Sequence, residues 1–457
     1  MTDATAAPDG PEPVTVAEPP AHAAPFSAGY TQYAMFLLLG IYIVNFLDRA
    51  IINILAEPIK NELQLLDWQL GLMSGLAFAI FYTFLGIPIA RLAERKNRPI
   101  IIGTSVLVWS GFTALSGAAQ NFVQLVTARI GVGIGEAGCT PPAHSLIADY
   151  VPKEKRASAL AFYSMGTPIG GLAGLVIGGL VADAYGWRMA FLVAGVPGIL
   201  FAILSITTLK EPRKLLSKQL EAARIAGSAT FGVTMKYLAG KRTFWLIAFA
   251  AAIKAFIGYG HAPFTASFFL RNHAEEINGL ASSFGLGPLG FLGLALGILG
   301  GVSGAISSFL GGWLADKFGS KDLRGYMIAP AVASLLSVPI YIIAINLPTA
   351  TGAMILLAFN GLLGSLWYGP VYATGQSVVP PHMRATAAAI LLFIINLIGL
   401  GLGPLAVGAL SDFFAIGMGM GKNEGVRWAL IVSTCAGFFA FFLFWFARKT
   451  IREDHVG

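Results

Sequence analysis

Twelve apolar segments, each long enough to cross a lipid bilayer, follow one another between residues 31 and 447. About 20 residues of apolar helix span the roughly 30 Å hydrocarbon core. Only 12% of the residues are charged, against about 25% in soluble proteins. We therefore predict an all-α membrane protein with twelve transmembrane helices. The segments lie at 31–56, 69–91, 99–119, 122–149, 157–183, 188–208, 243–269, 288–315, 326–346, 350–378, 385–411 and 427–447.

The longest polar gap between these segments divides the chain into six segments on each side. Its apolar residues recur at helical spacing, which is typical of an amphipathic helix lying on a membrane surface. The N-terminal stretch is rich in Pro and Ala and has no Lys or Arg before the first segment. It therefore resembles a disordered tail rather than a signal peptide. We predict a disordered cytoplasmic tail at 1–30, a six-helix half at 31–208, a cytoplasmic linker with an amphipathic helix at 209–242, a second six-helix half at 243–447 and a cytoplasmic tail at 448–457.

Basic residues determine the predicted orientation. With both termini in the cytoplasm, 22 of the 30 Lys and Arg residues lie on the cytoplasmic side and 5 on the other. Such an excess marks the cytoplasmic side of membrane proteins. The net charge of +7 is thus explained by topology and anionic lipid, without nucleic acid. Short loops on the opposite side favour a multi-pass protein of a bacterial inner membrane, and nothing requires an oligomer, so we expect a monomer.

The two halves repeat short sequence patterns in the same order. Residues 90–98 follow the second segment as 312–321 follow the eighth, and 151–159 reappear as 379–387. Leu180-Val-Ala-Asp183 likewise matches Ala409-Leu-Ser-Asp412. Parallel six-helix repeats in one membrane place a substrate site between them, near the bilayer midplane. The repeat therefore predicts a transporter.

An acid and a base lie side by side in the first segment, as Asp48-Arg49. Each such charge costs about 2.5–3.5 kcal/mol at the centre of a membrane helix, which makes a functional role the first hypothesis. Helical spacing places Tyr42, Asn45, Arg49 and Asn53 on one stripe, and the carboxylate of Asp48 about 100° away. We expect this stripe to line a cavity. The alternative is an ion pair that only joins two helices.

The sequence resembles the major facilitator superfamily at several motifs. The loop at 90–98 follows the superfamily pattern G-x-L-A-D-R-x-G-R-[RK], with Ala90, Glu94 and Asn97 as departures, and the copy at 312–321 is nearly intact. In the fourth segment, Arg129-Ile-Gly-Val-Gly133 resembles the family's Arg-x-x-x-Gly. Gly166-Thr-Pro-Ile-Gly-Gly171 is similar to the G-P-x-x-G-G motif of the fifth helix, which is often associated with antiporters.

Within that superfamily, three stretches resemble the spinster branch: 45–49, 55–60 and 133–137. The resemblance implies transport of lysophospholipids or sphingosine 1-phosphate, with proton coupling. It also implies that Asp48 and Glu136 are protonation sites and that Arg49 is their partner. An ion pair of Glu136 with Arg129 or Arg49 that serves stability alone is the competing interpretation.

Two further cations lie inside apolar segments. Arg129 precedes Glu136 by two helical turns, and its family pattern favours a structural or coupling role over substrate contact. Lys254, in the seventh segment, needs an anion. Together with Arg49 it could hold a phosphate headgroup, because guanidinium binds phosphate bidentately and ammonium acts as a point charge. Alternatively, Lys254 extends to the membrane surface or pairs with an acid.

Aromatic and amide side chains of the tenth and eleventh segments could line a cavity for an acyl chain, although packing explains them nearly as well. They are Asn360, Trp367, Tyr368, Tyr372 and Asn396. Charges in the repeated loops are expected to hold a cytoplasmic gate closed when the site faces outward, the alternative being ordinary positive-inside charge. They are Glu94, Arg95, Arg98, Asp316 and Lys317.

The same sequence argues against several other classes of protein. It shows no phosphate-binding loop, metal-ligand spacing or disulfide framework, so we expect no cofactor, no metal and no ATP-driven pump. We predict a proton-coupled secondary transporter of an amphipathic lipid. A proton antiporter for hydrophobic drugs or small organic anions is the nearest alternative. A lipid scramblase or channel is another, and an acyl-transfer enzyme would need His144 or Cys139 as base or nucleophile.

Overall fold

The computed structural model describes residues 26–215, 231–319 and 322–456, and these residues form helices and loops without strands. We number the spanning helices α1 to α12. The first half comprises α1 (Ala28–Leu63), α2 (Asp67–Arg95), α3 (Arg98–Ser116), α4 in two pieces (Phe122–Glu136 and Thr140–Tyr150), α5 (Ser158–Tyr185) and α6 (Trp187–Thr208). The second half comprises α7 (Arg242–Asn272), α8 (Pro288–Gly319), α9 (Gly325–Ile345), α10 (Ala350–Ser377), α11 (Pro381–Gly417) and α12 (Gly421–Asp454).

Eleven of these helices in the described ranges are each long and apolar enough to cross a membrane. The twelfth, α4, is predicted as one segment but is interrupted between Glu136 and Thr140. Pro141 and Pro142 follow the interruption, and a proline inside a helix clashes with the carbonyl four residues earlier and lacks an N–H donor. The two pieces together cover the predicted fourth segment, so the twelve-helix architecture is confirmed.

The ends of the helices differ from the predicted ends by a few residues. Helix α1 begins at Ala28, inside the stretch predicted as a tail, and it continues to Leu63. Of the predicted linker, a 3₁₀ turn at Pro212–Leu215 and a helix at Phe231–Ala239 are described. Residues 1–25 and 216–230 lie outside the described ranges, so the disordered tail and most of the amphipathic helix stay predictions.

The two halves meet closely near one end of the bundle. Gly179 of α5 lies against the backbone of α8 at Leu289, and Gly71 of α2 lies against the backbone of α11 at Pro404. A Cβ atom at either glycine would overlap a carbonyl group of the other half. Absence of a side chain at these positions therefore lets the helices of the two halves approach to backbone contact.

Two aspartates at this end cap helices across the interface. Asp183 at the end of α5 accepts hydrogen bonds from the N–H groups of Leu289 (3.3 Å) and Gly290 (2.6 Å) in α8. Asp412 in α11 accepts hydrogen bonds from Asp67 (3.0 Å) and Trp68 (2.8 Å) in α2. A carboxylate at a helix N-terminus satisfies free N–H groups and meets the positive end of the helix dipole. Because these aspartates are equivalent in the sequence repeat, each half caps the other in the same way.

A buried charge network joins the same ends of α1, α2 and α7. The guanidinium of Arg271 donates to Glu57 (2.7–3.0 Å) and to both carboxylate oxygens of Asp67 (2.8 Å). Lys60 also binds Asp67, at 2.5 Å, and Ser411 of α11 donates to it at 2.6 Å. We call this end, with its cross-half bonds of Glu57, Asp67, Asp183, Arg271 and Asp412, the closed end. It is the end predicted to be non-cytoplasmic.

Toward the opposite end, which we call the open end, the halves separate. Gly86 of α2, Gly171 of α5, and Gly300 and Gly304 of α8 all face open space. A T-shaped contact of Phe84 with Phe393 (5.3 Å between ring centroids) still links α2 to α11 on one side.

At the open end, the charged loop at 91–98 is held by its own half. Arg98 is fully buried and donates to Glu211 (2.9–3.1 Å) and to Asp149 (2.7 Å). Arg213 donates to carbonyl groups at the end of α2, including that of Ala93 at 2.7 Å. Burial alone would raise the pKa of Glu211, but the hydrogen bonds from Arg98 and Arg213 lower it to about 2. The start of the linker is thereby fixed to the first half.

Candidate functional site

A cavity of about 630 Å³ lies between the two halves. Its walls come from α1, α2, α4 and α5 on one side, and from α7 to α12 on the other. Much of the surface is apolar, formed by side chains such as Leu296, Leu299, Met354, Leu357 and Leu400. Cavities of this size and polarity are typical of sites for small organic ligands.

The polar part of the cavity surface is cationic. Arg49 and Arg129 line it from the first half, and Lys254 and His261 line it from the second. Among the described lining residues there is no Asp or Glu. Arginine and lysine in the wall of a largely apolar cavity attract an anion, because the local dielectric constant is lower than that of bulk water.

The acidic partners of the two arginines lie behind the cavity surface. Glu136 accepts a hydrogen bond from Nε of Arg49 at 2.5 Å, and its side chain is fully buried. Asp48 lies 3.8 Å from Nη1 of Arg129 and accepts a hydrogen bond from the hydroxyl of Thr113. The four charges thus form two ion pairs in the core of the first half.

These pairs leave hydrogen-bonding capacity unused. Oδ1 of Asp48, Oε1 of Glu136, and Nε and Nη1 of Arg129 are buried without hydrogen-bond partners among the described residues. Native structures satisfy most buried polar groups, so each such group calls for an explanation.

Glycines of α4 position Glu136 against Arg49. Gly133 packs on the backbone of α2 at Phe78, and Gly135 packs on the backbone of α3 at Trp109. The absence of side chains lets α4 approach both neighbours. This approach brings the end of its first piece, at Glu136, to α1. Around Arg49, the ring centroids of Tyr82, Phe78 and Phe46 lie 4.5, 5.0 and 5.2 Å from the guanidinium carbon. Such cation–π contacts hold the charge while its side chain remains 17% exposed to the cavity.

Lys254 on α7 differs from both arginines. It is 7% exposed, and no ion pair involves it in the part of the chain that the structure describes. His261, two turns further along α7, bonds through Nε2 to Oγ of Ser433 at 2.9 Å and lies against Tyr341 (4.6 Å between centroids). The cavity wall of the second half therefore has a cation that has no counter-ion among the described residues.

The predicted cavity residues divide into two groups. Asn53, Asn360, Trp367 and Tyr368 line the cavity together with the three cations. The other four lie outside its lining: Tyr42, Asn45, Tyr372 and Asn396.

Two features of α1 explain part of this difference. Tyr42 stacks on Tyr163 (4.2 Å between centroids), and Asn45 is 1% exposed beside Glu136. The face of α1 that meets the cavity consists of Phe46, Arg49, Ala50 and Asn53, spaced by three and four residues. Of the predicted stripe, Arg49 and Asn53 therefore line the cavity, whereas Tyr42 and Asn45 pack within the first half.

Tyr341 lines the cavity but was not assigned to it from the sequence, and His261 lines it as well. Lys254, Gly258, His261 and Thr265 recur at intervals of four, three and four residues, which places them on one face of α7. This spacing around a lysine in an apolar segment could have indicated, from the sequence alone, that this face of α7 lines the cavity.

The predicted gate residues lie at the open end. Arg98 is bound within its own half as described above, and Glu94, Arg95 and Asp316 are exposed. The ammonium of Lys317 lies 4.5 Å from the ring centroid of Trp313. Because the halves are separated here, a gate that closes in the opposite state stays a prediction.

A membrane-embedded pair of repeated six-helix halves, closed at one end around a central cavity, is the architecture of a secondary transporter. The chain belongs to the Major Facilitator Superfamily, whose sequence model matches residues 38–404. This family and fold are those of transporters rather than enzymes, and the protein is a multi-pass membrane protein.

Several relatives cover most of the chain. It is 30% identical to an MFS-type efflux pump of Mycolicibacterium smegmatis, over 90% of this chain and 91% of the relative. It is 28% identical to protein spinster homolog 3 of Danio rerio, over 83% and 76%. It is 25% identical to a hexuronate transporter of Bacillus subtilis, over 85% and 89%.

Among solved structures, the chain is similar to a bacterial homolog of the human lysosomal transporter Spinster. For the inward-facing, unoccupied form of that protein the TM-score is 0.83 and the identity 31%, over 94% of this chain and 100% of the other. The inward-facing, occupied form gives a TM-score of 0.81 with 30% identity. The resemblance to the spinster branch that the sequence predicted is confirmed.

Proposed function

We propose that this protein is a proton-coupled secondary active transporter that moves an amphipathic anion, such as a lysophospholipid or a sphingoid phosphate, by alternating access. The observation that carries the proposal is the cationic cavity surface. Arg49, Arg129 and Lys254 face the cavity, whereas Asp48 and Glu136 lie behind the arginines. An anionic group is favoured on that surface, and the apolar wall of α8 and α10 suits an acyl chain.

Competition for arginine couples the substrate to protons. A substrate anion that reaches Arg49 competes with Glu136, and a buried carboxylate that loses its cation favours the protonated form. Asp48 and Arg129 form a longer pair at 3.8 Å, so the same exchange applies there. The two acids are thus the proposed protonation sites, with Arg49 and Arg129 as their coupling partners.

In alternating access, the contacts that close one end of the bundle break when contacts that close the other end form. In the described state the cross-half bonds of Glu57, Asp67 and Arg271 join the halves at the closed end. In the opposite state these bonds break, and the loop charges Glu94, Arg95, Arg98, Asp316 and Lys317 join the halves at the open end. The basic loops support a cytoplasmic location of the open end, in a bacterial inner membrane. With that orientation the described state is inward-facing, which is also the state of the similar bacterial homolog of Spinster.

A proton antiporter for hydrophobic drugs or small organic anions is the second candidate. Relatives that are named as an efflux pump and a hexuronate transporter favour it. Guanidinium binds a carboxylate as well as a phosphate, so the cations of the cavity suit both substrate classes. A channel or scramblase fits less well, because a continuous path is closed by the bonds at one end.

Transport by purified protein in proteoliposomes tests the proposal. Labelled lysophospholipids, glucuronate and a hydrophobic cationic dye are compared with and without an imposed pH gradient, for the wild type and Asp48→Asn. We expect gradient-dependent lysophospholipid transport that is lost in Asp48→Asn and kept in Asp322→Asn, which changes an exposed loop carboxylate. Gradient-driven transport of glucuronate or dye alone would establish the second candidate. Lysophospholipid transport that is independent of both gradient and Asp48 would refute coupling.

A further inference from the structure

The second half of the cavity contains polar groups that proton coupling does not use. On α7, Lys254 and His261 both line the cavity, two helical turns apart on the same face. Thr434 of α12 and Asn360 of α10 also line it. Oγ1 of Thr434 and Oδ1 of Asn360 are buried without hydrogen-bond partners among the described residues, and Thr434 is 3% exposed. These four side chains thus all line the cavity from the second half.

The bonds of His261 define what its ring can offer. The hydroxyl of Ser433 donates to the carbonyl of Ala429 at 2.6 Å, so its oxygen accepts the bond from Nε2 of His261 at 2.9 Å. Nε2 therefore has the proton of the neutral ring, and Nδ1 is the nitrogen that can take up another. Protonated there, His261 would donate a hydrogen bond to an anion, beside the three donors of the Lys254 ammonium.

The arginines of the first half are less available to an incoming anion. Arg49 is bound to Glu136 at 2.5 Å and surrounded by three aromatic rings. Arg129 is 1% exposed and paired with Asp48. Lys254, by contrast, is a desolvated cation whose cost of burial an anion would offset.

We propose that Lys254, His261, Thr434 and Asn360 form an anion-binding subsite that takes the phosphate or carboxylate group of the substrate. This inference rests on the proposed function, because it assumes that the cavity holds the substrate. The second half then holds the anionic group, and the amide of Asn360 binds a hydroxyl on the same molecule. Because Arg49 lines the same cavity, the bound anionic group then competes with Glu136 for Arg49, and Glu136 takes up a proton.

Binding in detergent by titration calorimetry tests the subsite with three probes: oleoyl lysophosphatidate, the neutral amphiphile monoolein and glycerol 3-phosphate. The quantity compared is the ratio of the monoolein Kd to the lysophosphatidate Kd within each variant, so that a general loss of folded protein cancels. We expect Lys254→Met to lower this ratio about 10- to 100-fold, the size of a lost charge-assisted bond. Lys254→Arg keeps the ratio within about threefold, and so does the surface control Lys236→Met.

His261→Gln is the second variant, which keeps a donor toward Ser433 and removes the titratable nitrogen. It is expected to lower the ratio by about threefold to tenfold. Competition by glycerol 3-phosphate would show that the headgroup alone fills the subsite, whereas binding only of lysophosphatidate would show that the acyl chain is required. An unchanged ratio in both Lys254→Met and His261→Gln would overturn the subsite but leave the proposed function standing. Failure of the wild type to bind or transport any anionic probe would overturn both.

Discussion

The two halves of this transporter repeat one fold but differ in the charges of their cores. In the first half, Asp48, Arg49, Arg129 and Glu136 are buried as two ion pairs. In the second, Lys254 faces the cavity without an acidic partner among the described residues. Helix capping at the closed end, however, is the same in both halves. The two halves therefore share the contacts that close the bundle. They differ in their central charges, which are paired in the first half and, among the described residues, include a cation without an acidic partner in the second.

The largest expected effect is in the first half, from Glu136→Gln. Removing one partner of a buried ion pair typically costs about 3–5 kcal/mol of folding free energy, because the other charge stays buried. Arg49 has aromatic contacts and partial exposure to the cavity, so we expect a loss of about 3 kcal/mol. Thermal unfolding of the purified protein measures it.

The double variant Arg49→Gln/Glu136→Gln is the control, and it should recover part of this stability because neither charge is then left alone. If the double variant loses as much stability as the sum of the two single variants, the pair is not coupled. Pairing of Arg49 with Glu136 would then not contribute to the stability of the first half.

Lys254→Met provides the opposite test in the second half. Because no partner of Lys254 is left unpaired, its removal is expected to change the stability by less than about 1 kcal/mol, and it could raise the unfolding temperature. The measurement is the same thermal unfolding, beside Glu136→Gln. A loss as large as that of Glu136→Gln would show that Lys254 has a bound counter-ion in the ligand-free protein.

Sequence reasoning found the charges at the centre of the bundle because they are conspicuous there. Asp48, Arg49, Arg129, Glu136 and Lys254 each interrupt an apolar segment, and membrane insertion makes such residues costly unless they have a role. Which acid binds which arginine could not be read from the sequence, because that depends on the approach of α4 to α1. The interruption of α4, by contrast, follows from two adjacent prolines and could have been predicted.

The charges of the closed end were missed for a physical reason. Glu57, Asp67 and Arg271 lie near helix ends, where charged residues are ordinary and no helix period marks them. Their bonds join residues 204 and 214 positions apart in the chain, and Asp412 reaches Asp67 across 345 positions. The sequence repeat did relate Asp183 to Asp412, but only the packing of α5 on α8 and of α11 on α2 shows what they cap.

Removing a helix cap at the closed end should have about the same effect in either half. Asp183→Asn and Asp412→Asn each weaken a cap, which is typically worth about 0.5–2 kcal/mol. Each variant is expected to shift the population toward the state that opens this end. Labelling of a cysteine introduced at Leu292, a fully buried residue near this end of α8, in a background without Cys139 and Cys435, measures the shift as an increase in rate.

Equal increases in the two capping variants would sharpen the comparison, since the halves would then share the energetics of closure despite unlike cores. An increase in one variant only would show that the two caps, although alike in structure, contribute unequally to the free energy of closure. Asp322→Asn, in an exposed loop at the open end, is the matched control and should leave the labelling rate unchanged.

The last prediction concerns Glu211, which binds Arg98 and Arg213 at the open end. Its pKa is lowered to about 2, so the charged form is favoured in the folded state. A carboxyl group with a depressed pKa contributes stability above its unfolded pKa of about 4.3, and this contribution is lost as the pH falls toward 2. After discount for solvent screening, we expect Glu211→Gln to lower the stability at pH 7 by about 1–2 kcal/mol. The gap in unfolding temperature between the variant and the wild type should narrow as the pH falls from 5 to 3, whereas a constant gap would mean that Glu211 acts through packing rather than charge.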